Sequence, residues 1–216
     1  MSQIFPRRAN LIARGSLIVV VLALAIVLAA GYLIVRSPYR TQVGIVREQP
    51  VPYSHKLHVG ELGLDCRYCH TAVDKSSSAG IPSTEICMNC HLQVRADSPA
   101  LAPIRDSFTN GQPIAWNRIH DLADYVFFNH SIHVNQGFGC VTCHGRVDEM
   151  PLMYREQSLL MEWCLDCHRN PARYIRPKDQ VYNLAWQPSE SQDTLGPRLV
   201  QEYNIQSKIN CSTCHH

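Results

Sequence analysis

All ten cysteines of this chain fall into five copies of one pentapeptide, and that leaves little freedom in what the chain can become. The copies are Cys66-Arg-Tyr-Cys69-His70, Cys87-Met-Asn-Cys90-His91, Cys140-Val-Thr-Cys143-His144, Cys164-Leu-Asp-Cys167-His168 and Cys211-Ser-Thr-Cys214-His215. Random placement of ten cysteines and eleven histidines in 216 residues would give roughly 0.02 such pentapeptides. Two thiols three residues apart reach the two vinyl groups of one porphyrin, and the adjacent histidine then lies under its iron. The sequence therefore predicts five covalently bound haem c groups. Cys66, Cys69, Cys87, Cys90, Cys140, Cys143, Cys164, Cys167, Cys211 and Cys214 would attach them, and His70, His91, His144, His168 and His215 would be the proximal ligands.

Zinc is the competing use of paired Cys-x-x-Cys. Seventeen residues separate Cys69 from Cys87 and twenty separate Cys143 from Cys164, which suits a four-cysteine zinc site. Zinc gives no reason for a histidine after every second cysteine, however, and it leaves the fifth pair without a partner. A disulfide framework fails because no cysteine stands outside a motif.

Residues 16–35 are an uncharged apolar run. Twenty residues at about 1.5 Å rise span about 30 Å, the thickness of a bilayer core. A cleaved signal peptide is the alternative, with Arg7, Arg8 and Arg14 before the run and Ala29-Ala30-Gly31 within it. The run exceeds the ~7–15 residues of a signal core and continues past those small residues. A retained signal anchor is the expectation. Arg36 and Arg40 follow closely, so the charge bias for orientation is slight. Covalent haem attachment takes place outside the cytoplasmic membrane in bacteria. Residues 1–15 are therefore expected to be a cytoplasmic tail, and residues 36–216 a periplasmic haem domain of a single-pass membrane protein.

A haem is a large apolar plate, so stacked porphyrins can supply much of a core. Residues 36–216 are predicted to form one helix-poor, loop-rich domain wrapped around five haems. Thirteen prolines and eleven glycines agree with that. The formal charge of +2 describes the polypeptide; ten ionised propionates would bring it to about −8 with ferrous haems, so patches of both signs can guide docking. No nucleic-acid partner is expected.

Two segments repeat. Tyr53-Ser-His55-Lys-Leu-His58-Val precedes the first motif, and Phe128-Asn-His130-Ser-Ile-His133-Val precedes the third. His55 lies 11 residues before Cys66, and His130 lies 10 before Cys140. A second motif follows in each case, preceded by Glu85 or Glu162. The unit is His-x-x-His, haem, haem, used at about 53–91 and 128–168, with the fifth haem alone at 211–215. Such repetition reflects duplication of one structural unit. The proline-bearing stretches Leu92–Val126 and Asn170–Asn210 show no sustained periodicity and read as wrapping segments or docking loops.

Five irons need sixth ligands, and six histidines lie outside the motifs. Two histidines three apart on a helical turn face nearly the same way, so one can bind each of two neighbouring haems. His55, His58, His130 and His133 are the candidates for four positions. For the fifth, His120 is the choice by elimination, with Met150, Met153 and Met161 as rivals; core packing is the commoner use of methionine. His216 adjoins a proximal ligand and is poorly placed to fold back.

The His-x-x-His element before a haem motif resembles that of multihaem class III cytochromes c. The whole chain resembles something narrower. Its single anchor, its five motifs and the stretches Ile119-His-Asp-Leu-Ala-Asp-Tyr-Val-Phe-Phe-Asn-His-Ser-Ile-His133 and Met161-Glu-Trp-Cys-Leu-Asp-Cys-His-Arg-Asn-Pro171 are similar to the pentahaem cytochrome subunit of bacterial alternative complex III. A quinone reductase complex of sulfate reducers has a similar subunit with an additional haem. The resemblance implies an electron-transfer subunit of a respiratory or photosynthetic quinol:acceptor oxidoreductase, without substrate turnover of its own. It implies as partners an iron–sulfur subunit like molybdopterin oxidoreductases, polytopic quinol-binding subunits and a monohaem cytochrome. Electrons from menaquinol would leave to a soluble cytochrome c or a blue copper protein. A free-standing quinol dehydrogenase needs a haem near the bilayer with a labile ligand, and thirty residues separate Val35 from Cys66. A multihaem reductase needs an open haem, often marked by lysine in the motif; all five motifs keep histidine.

Overall fold

The computed structural model describes residues 4–215. It divides into two units, Met1–Gln42 and Val43–His216, and each is described by itself.

The first unit is dominated by α1, Ala9–Arg36, 28 residues with none buried. It contains the apolar run at 16–35 and is long and apolar enough to cross a membrane. It starts seven residues before that run because Leu11, Ile12 and Ala13 keep strong helix preference. It ends where Pro38 disfavours a helical conformation at Ser37, which is extended (φ −69°, ψ 157°) and donates its hydroxyl to Ile34 O at 2.7 Å. A single turn, α2 (Pro38–Thr41), follows.

The second unit contains α3 (Cys66–Cys69), α4 (Thr84–His91), α5 (Ala102–Asn110), α6 (His130–Asn135), α7 (Cys140–His144), α8 (Met161–Arg169), α9 (Gln192–Glu202) and α10 (Cys211–Cys214). None exceeds eleven residues. Among the described residues there is no strand, only the isolated bridges Val43 with Arg155, Val126 with His215 and Phe138 with Ile175. Side-chain caps start several helices: Asp65 accepts from Arg67 N at 2.8 Å, Asn129 from Ile132 N at 3.3 Å and Ser191 from Asp193 N at 3.3 Å.

The side-chain core is small. One cluster joins Val51, Met88 and Ile104 to Cys87, Leu101, Ile114 and Trp116. The other joins Ile175, Leu195 and Leu199 to Phe138, Trp186 and Tyr203. The second cluster closes on a backbone contact: a Cβ at Gly196 of α9 would stand 2.0 Å from Ala172 O, so only glycine lets the helix approach the Pro171–Arg173 turn.

The two His-x-x-His elements exchange partners. Lys56 N donates to Met150 O at 3.0 Å, and Ser131 N donates to Ser76 O at 3.1 Å. Each donor follows the first histidine of its element, and each acceptor lies six residues beyond a motif histidine, His144 or His70. Gly60 packs on Asp148 O, where a Cβ would be 2.3 Å away; at the equivalent position Asn135 Nδ2 donates to Asp74 O at 2.9 Å. Each element therefore rests on the loop behind the other module's leading motif. One difference follows from the spacing. The first module has one more residue between histidine and cysteine, and its turn is a π-helix, Lys56–Glu61, where the second has α6. A π turn is how a helix absorbs an added residue.

Candidate haem sites

All five Cys-x-x-Cys pairs lie on helical turns, where residues three apart share a face. The helices α3, α7 and α10 begin at the first cysteine of their motif, and α4 and α8 begin three residues before it. The leading and following motifs of each module thus have the same local architecture in both copies, and the fifth is built like a leading one. All ten thiols are free of disulfide bonds. Among the described residues no group of three or more His, Cys, Asp or Glu converges to hold a bare metal ion.

The histidines stand in opposed pairs. His58 faces His91 with ring centres 6.2 Å apart, His130 faces His144 at 6.3 Å and His133 faces His168 at 6.0 Å. Iron–imidazole bonds of about 2.0–2.1 Å, with about 1.1 Å from each nitrogen to its ring centre, call for about 6.3 Å between ring centres. The residues present fit a bis-histidine haem. His55 lies near His70: burial first, then His70 and His58, push its imidazole down to about 4. Burial likewise lowers His133, and it lowers His144 to about 3 with help from His120 and His130. Burial thus disfavours the charged form of these rings, and the neutral form is the one that offers a lone pair to a metal.

An aromatic ring organises each pair of distal candidates. Tyr53 meets His55 edge-on at 4.8 Å and stacks on His58 at 4.5 Å. Phe128 meets His130 edge-on at 4.8 Å and stacks on His133 at 4.4 Å. The Nδ1 atoms fix the rotation further. His58 donates to Ser54 O at 2.8 Å and His133 to Asn129 O at 2.7 Å, both four residues back. His130 donates to Ser77 O at 2.9 Å, whereas His55 Nδ1 is buried without a partner. Among the motif histidines, His70 donates to Gly80 O at 2.7 Å, His91 to Val94 O at 2.9 Å and His215 to Tyr125 O at 3.3 Å. Donation from Nδ1 leaves Nε2 free to ligate and makes the ring a stronger donor.

His120, the choice for the fifth distal position, stands beside another motif histidine. It lies against His144, ring centres 4.3 Å apart, with its Nε2 3.3 Å from His144 Nδ1. That separation is too short for an iron between the rings. His215 is bracketed instead by Tyr125, at 5.8 Å between ring centres, and by the bond from Phe127 N to Cys214 O at 2.8 Å. Met150 is fully buried, Met153 half-buried and Met161 exposed at the start of α8. His216 lies outside the described residues. Sequence reasoning missed Arg155, whose guanidinium donates to Ile119 O at 2.9 and 3.2 Å and to Asp121 O at 3.2 Å, the carbonyls on either side of His120. No sequence signal pointed to it.

The motifs also have an order in space. The first and second adjoin through Asn89 Nδ2 and Tyr68 OH at 3.2 Å, and Cys87 adds to the burial that raises the Cys69 thiol. The first and third meet at the Cys66 and Cys140 thiols, where each shifts the other's titration, Cys66 down and Cys140 up. The third and fourth meet at Cys143, pushed up to about 12 by burial and then by Cys167 and Cys164. The fourth and fifth meet through Ser207 Oγ and His168 O at 2.7 Å, and Cys214 adds to the burial that raises Cys164. The sequence second, first, third, fourth, fifth is continuous.

These features are those of a c-type multihaem cytochrome, a domain that holds several haems by thioether bonds and imidazoles. The profile of the family described as "Cytochrome c7 and related cytochrome c" matches residues 51–107 and 126–216, and the chain belongs to that family. It is also 32% identical over 145 residues, 57% of this chain and 69% of the relative, to a protein of Nitratidesulfovibrio vulgaris (strain Hildenborough) named "Menaquinone reductase, multiheme cytochrome c subunit". The family implies covalently bound haem c and electron transfer as the domain's activity.

Proposed function

We propose that this chain is the electron-transfer cytochrome of a membrane quinol:acceptor oxidoreductase of the alternative complex III type, carrying five haem c groups on the periplasmic side of the membrane. Three opposed imidazole pairs at iron-spanning distance, on motifs that adjoin in unbroken order, are the observation that carries this reading. Each bound haem supplies a one-electron iron couple. The chain supplies the rest. The five cysteine pairs fix the porphyrins; His70, His91, His144, His168 and His215 take the proximal positions. His55 pairs with His70, His58 with His91, His130 with His144 and His133 with His168. Since His55 and His58 sit on one turn, and His130 and His133 on another, neighbouring haems are held edge to edge. Electrons then have two exits, beside the second motif and beside the fifth, for the partner subunits and a soluble cytochrome c or blue copper acceptor.

The helix α1 anchors the chain, and covalent haem attachment favours the outer face for the domain. The pyridine haemochrome assay with intact mass should count five haems; four or fewer would sink the count. The purified chain should exchange electrons with artificial donors yet fail to oxidise menaquinol, and the detergent-purified complex should do both. Menaquinol oxidation by the single chain would favour a free-standing dehydrogenase.

The relative's name supports a second reading, in which electrons run toward menaquinone. Assaying the purified complex in both directions, with menaquinol and an oxidised carrier or with menaquinone and a reduced one, separates the two.

A further inference from the structure

We infer that His120 is a positioning residue for His144: it accepts the Nδ1–H of that proximal histidine and thereby sets the potential of the haem on the third motif. This rests on the haem reading above. Three other proximal histidines give the same proton to a backbone carbonyl, Gly80 O, Val94 O or Tyr125 O. At His144 the acceptor is a side chain, Nε2 of His120 at 3.3 Å, with the rings crossing at 67°.

The surroundings are built for this contact. Arg155 holds the carbonyls of Ile119 and Asp121, and its own backbone is tied by the donation from Gly44 N to Arg155 O at 2.8 Å. Arg118 and Asp121 pair at 2.8 Å on the outside of the same turn. His120 is thus presented to His144 from both flanks. His144 already has His130 across the iron position at 6.3 Å, nearly parallel at 13°, so its site does not call on His120 as a ligand. A hydrogen bond to Nδ1 makes the imidazole more basic, which favours ferric iron over ferrous.

The test uses the full haem-loaded chain with His120→Ala and His120→Gln. In the alanine variant every haem low-spin in the wild type should stay low-spin, and carbon monoxide binding should not rise. One wave of the redox titration should move to higher potential, by about tenfold in ferric preference or about 59 mV for one electron. Glutamine, whose Oε1 can take the same proton, should restore most of the shift. A new high-spin, carbon monoxide-binding haem in either variant would make His120 an axial ligand and overturn the inference. An unmoved set of potentials would overturn it too. If the alanine variant fails to accumulate, the glutamine variant decides: wild-type spin states and potentials are expected, and a high-spin haem refutes. The haem count of the wild type tests the underlying reading separately.

Discussion

The two His-x-x-His modules are close copies in what they place and different in what they leave free. Both set an aromatic ring edge-on to the first histidine and flat on the second. Both anchor the second histidine to the carbonyl four residues back. They part at the first. His130 is held by Ser77 O, while His55 has a buried Nδ1 without a partner. Their motif histidines part as well, His70 meeting the Gly80 carbonyl and His144 the His120 imidazole. Duplication has kept the candidate ligands where the backbone puts them, and the two copies differ in what meets the Nδ1 nitrogen of each imidazole.

The strongest way to break the likeness is to remove equivalent ligands. His58→Ala and His133→Ala should each convert one haem to a high-spin species that binds carbon monoxide, and to the same extent; visible spectroscopy reads it. If all haems stayed low-spin in either variant, the equivalence would fail for that module.

A smaller effect should expose the difference in packing. Gly60→Ala puts a Cβ 2.3 Å from Asp148 O, and relieving that overlap costs about 1–3 kcal/mol. A matching fall in the denaturation midpoint is expected, and an unchanged midpoint would show that the π turn yields freely. At the equivalent site, Asn135→Ala loses one bond to Asp74 O, worth about 0.5–1.5 kcal/mol. The first module should therefore prove the more sensitive of the two in parallel denaturant titrations.

The smallest expected effect concerns potential. A distal imidazole that donates its Nδ1 proton is the stronger donor, so on the proposed pairing the haem held by His130 and His144 should titrate at lower potential than the one held by His55 and His70. Site-assigned redox titration followed by electron paramagnetic resonance reads the order, and the reverse order would refute the comparison.

Motif spacing made the helical Cys-x-x-Cys turns legible because Cys-x-x-Cys-His is a purely local device. The repeat was legible too, since Tyr53–His58 and Phe128–His133 match residue by residue. The added residue before Cys66 was visible as a spacing of 11 against 10, and it appears as the π turn at Lys56–Glu61. The exchange of partners between modules was not legible. Asp74 and Asp148 are ordinary loop residues, and only the fold brings their carbonyls to Asn135 and Gly60. The neighbourhood of His120 was hidden for the same reason. Elimination offered it for an iron, and Arg155, which holds the carbonyls on either side of it, comes from more than thirty residues away. The apolar run at 16–35 predicted a helix, and helix-favouring residues upstream extended it to Ala9.

The thiols of Cys66 and Cys140, close enough across the two modules to shift each other's titration, bear on how the protein is made. In an oxidising compartment two adjacent thiols form a disulfide, and such a bond would consume one attachment point from each of two haems. Under the proposed haem reading, folding ahead of cofactor attachment would leave these two thiols free to oxidise together. On that reading, maturation would capture each cysteine pair while the chain is still open, before the modules close.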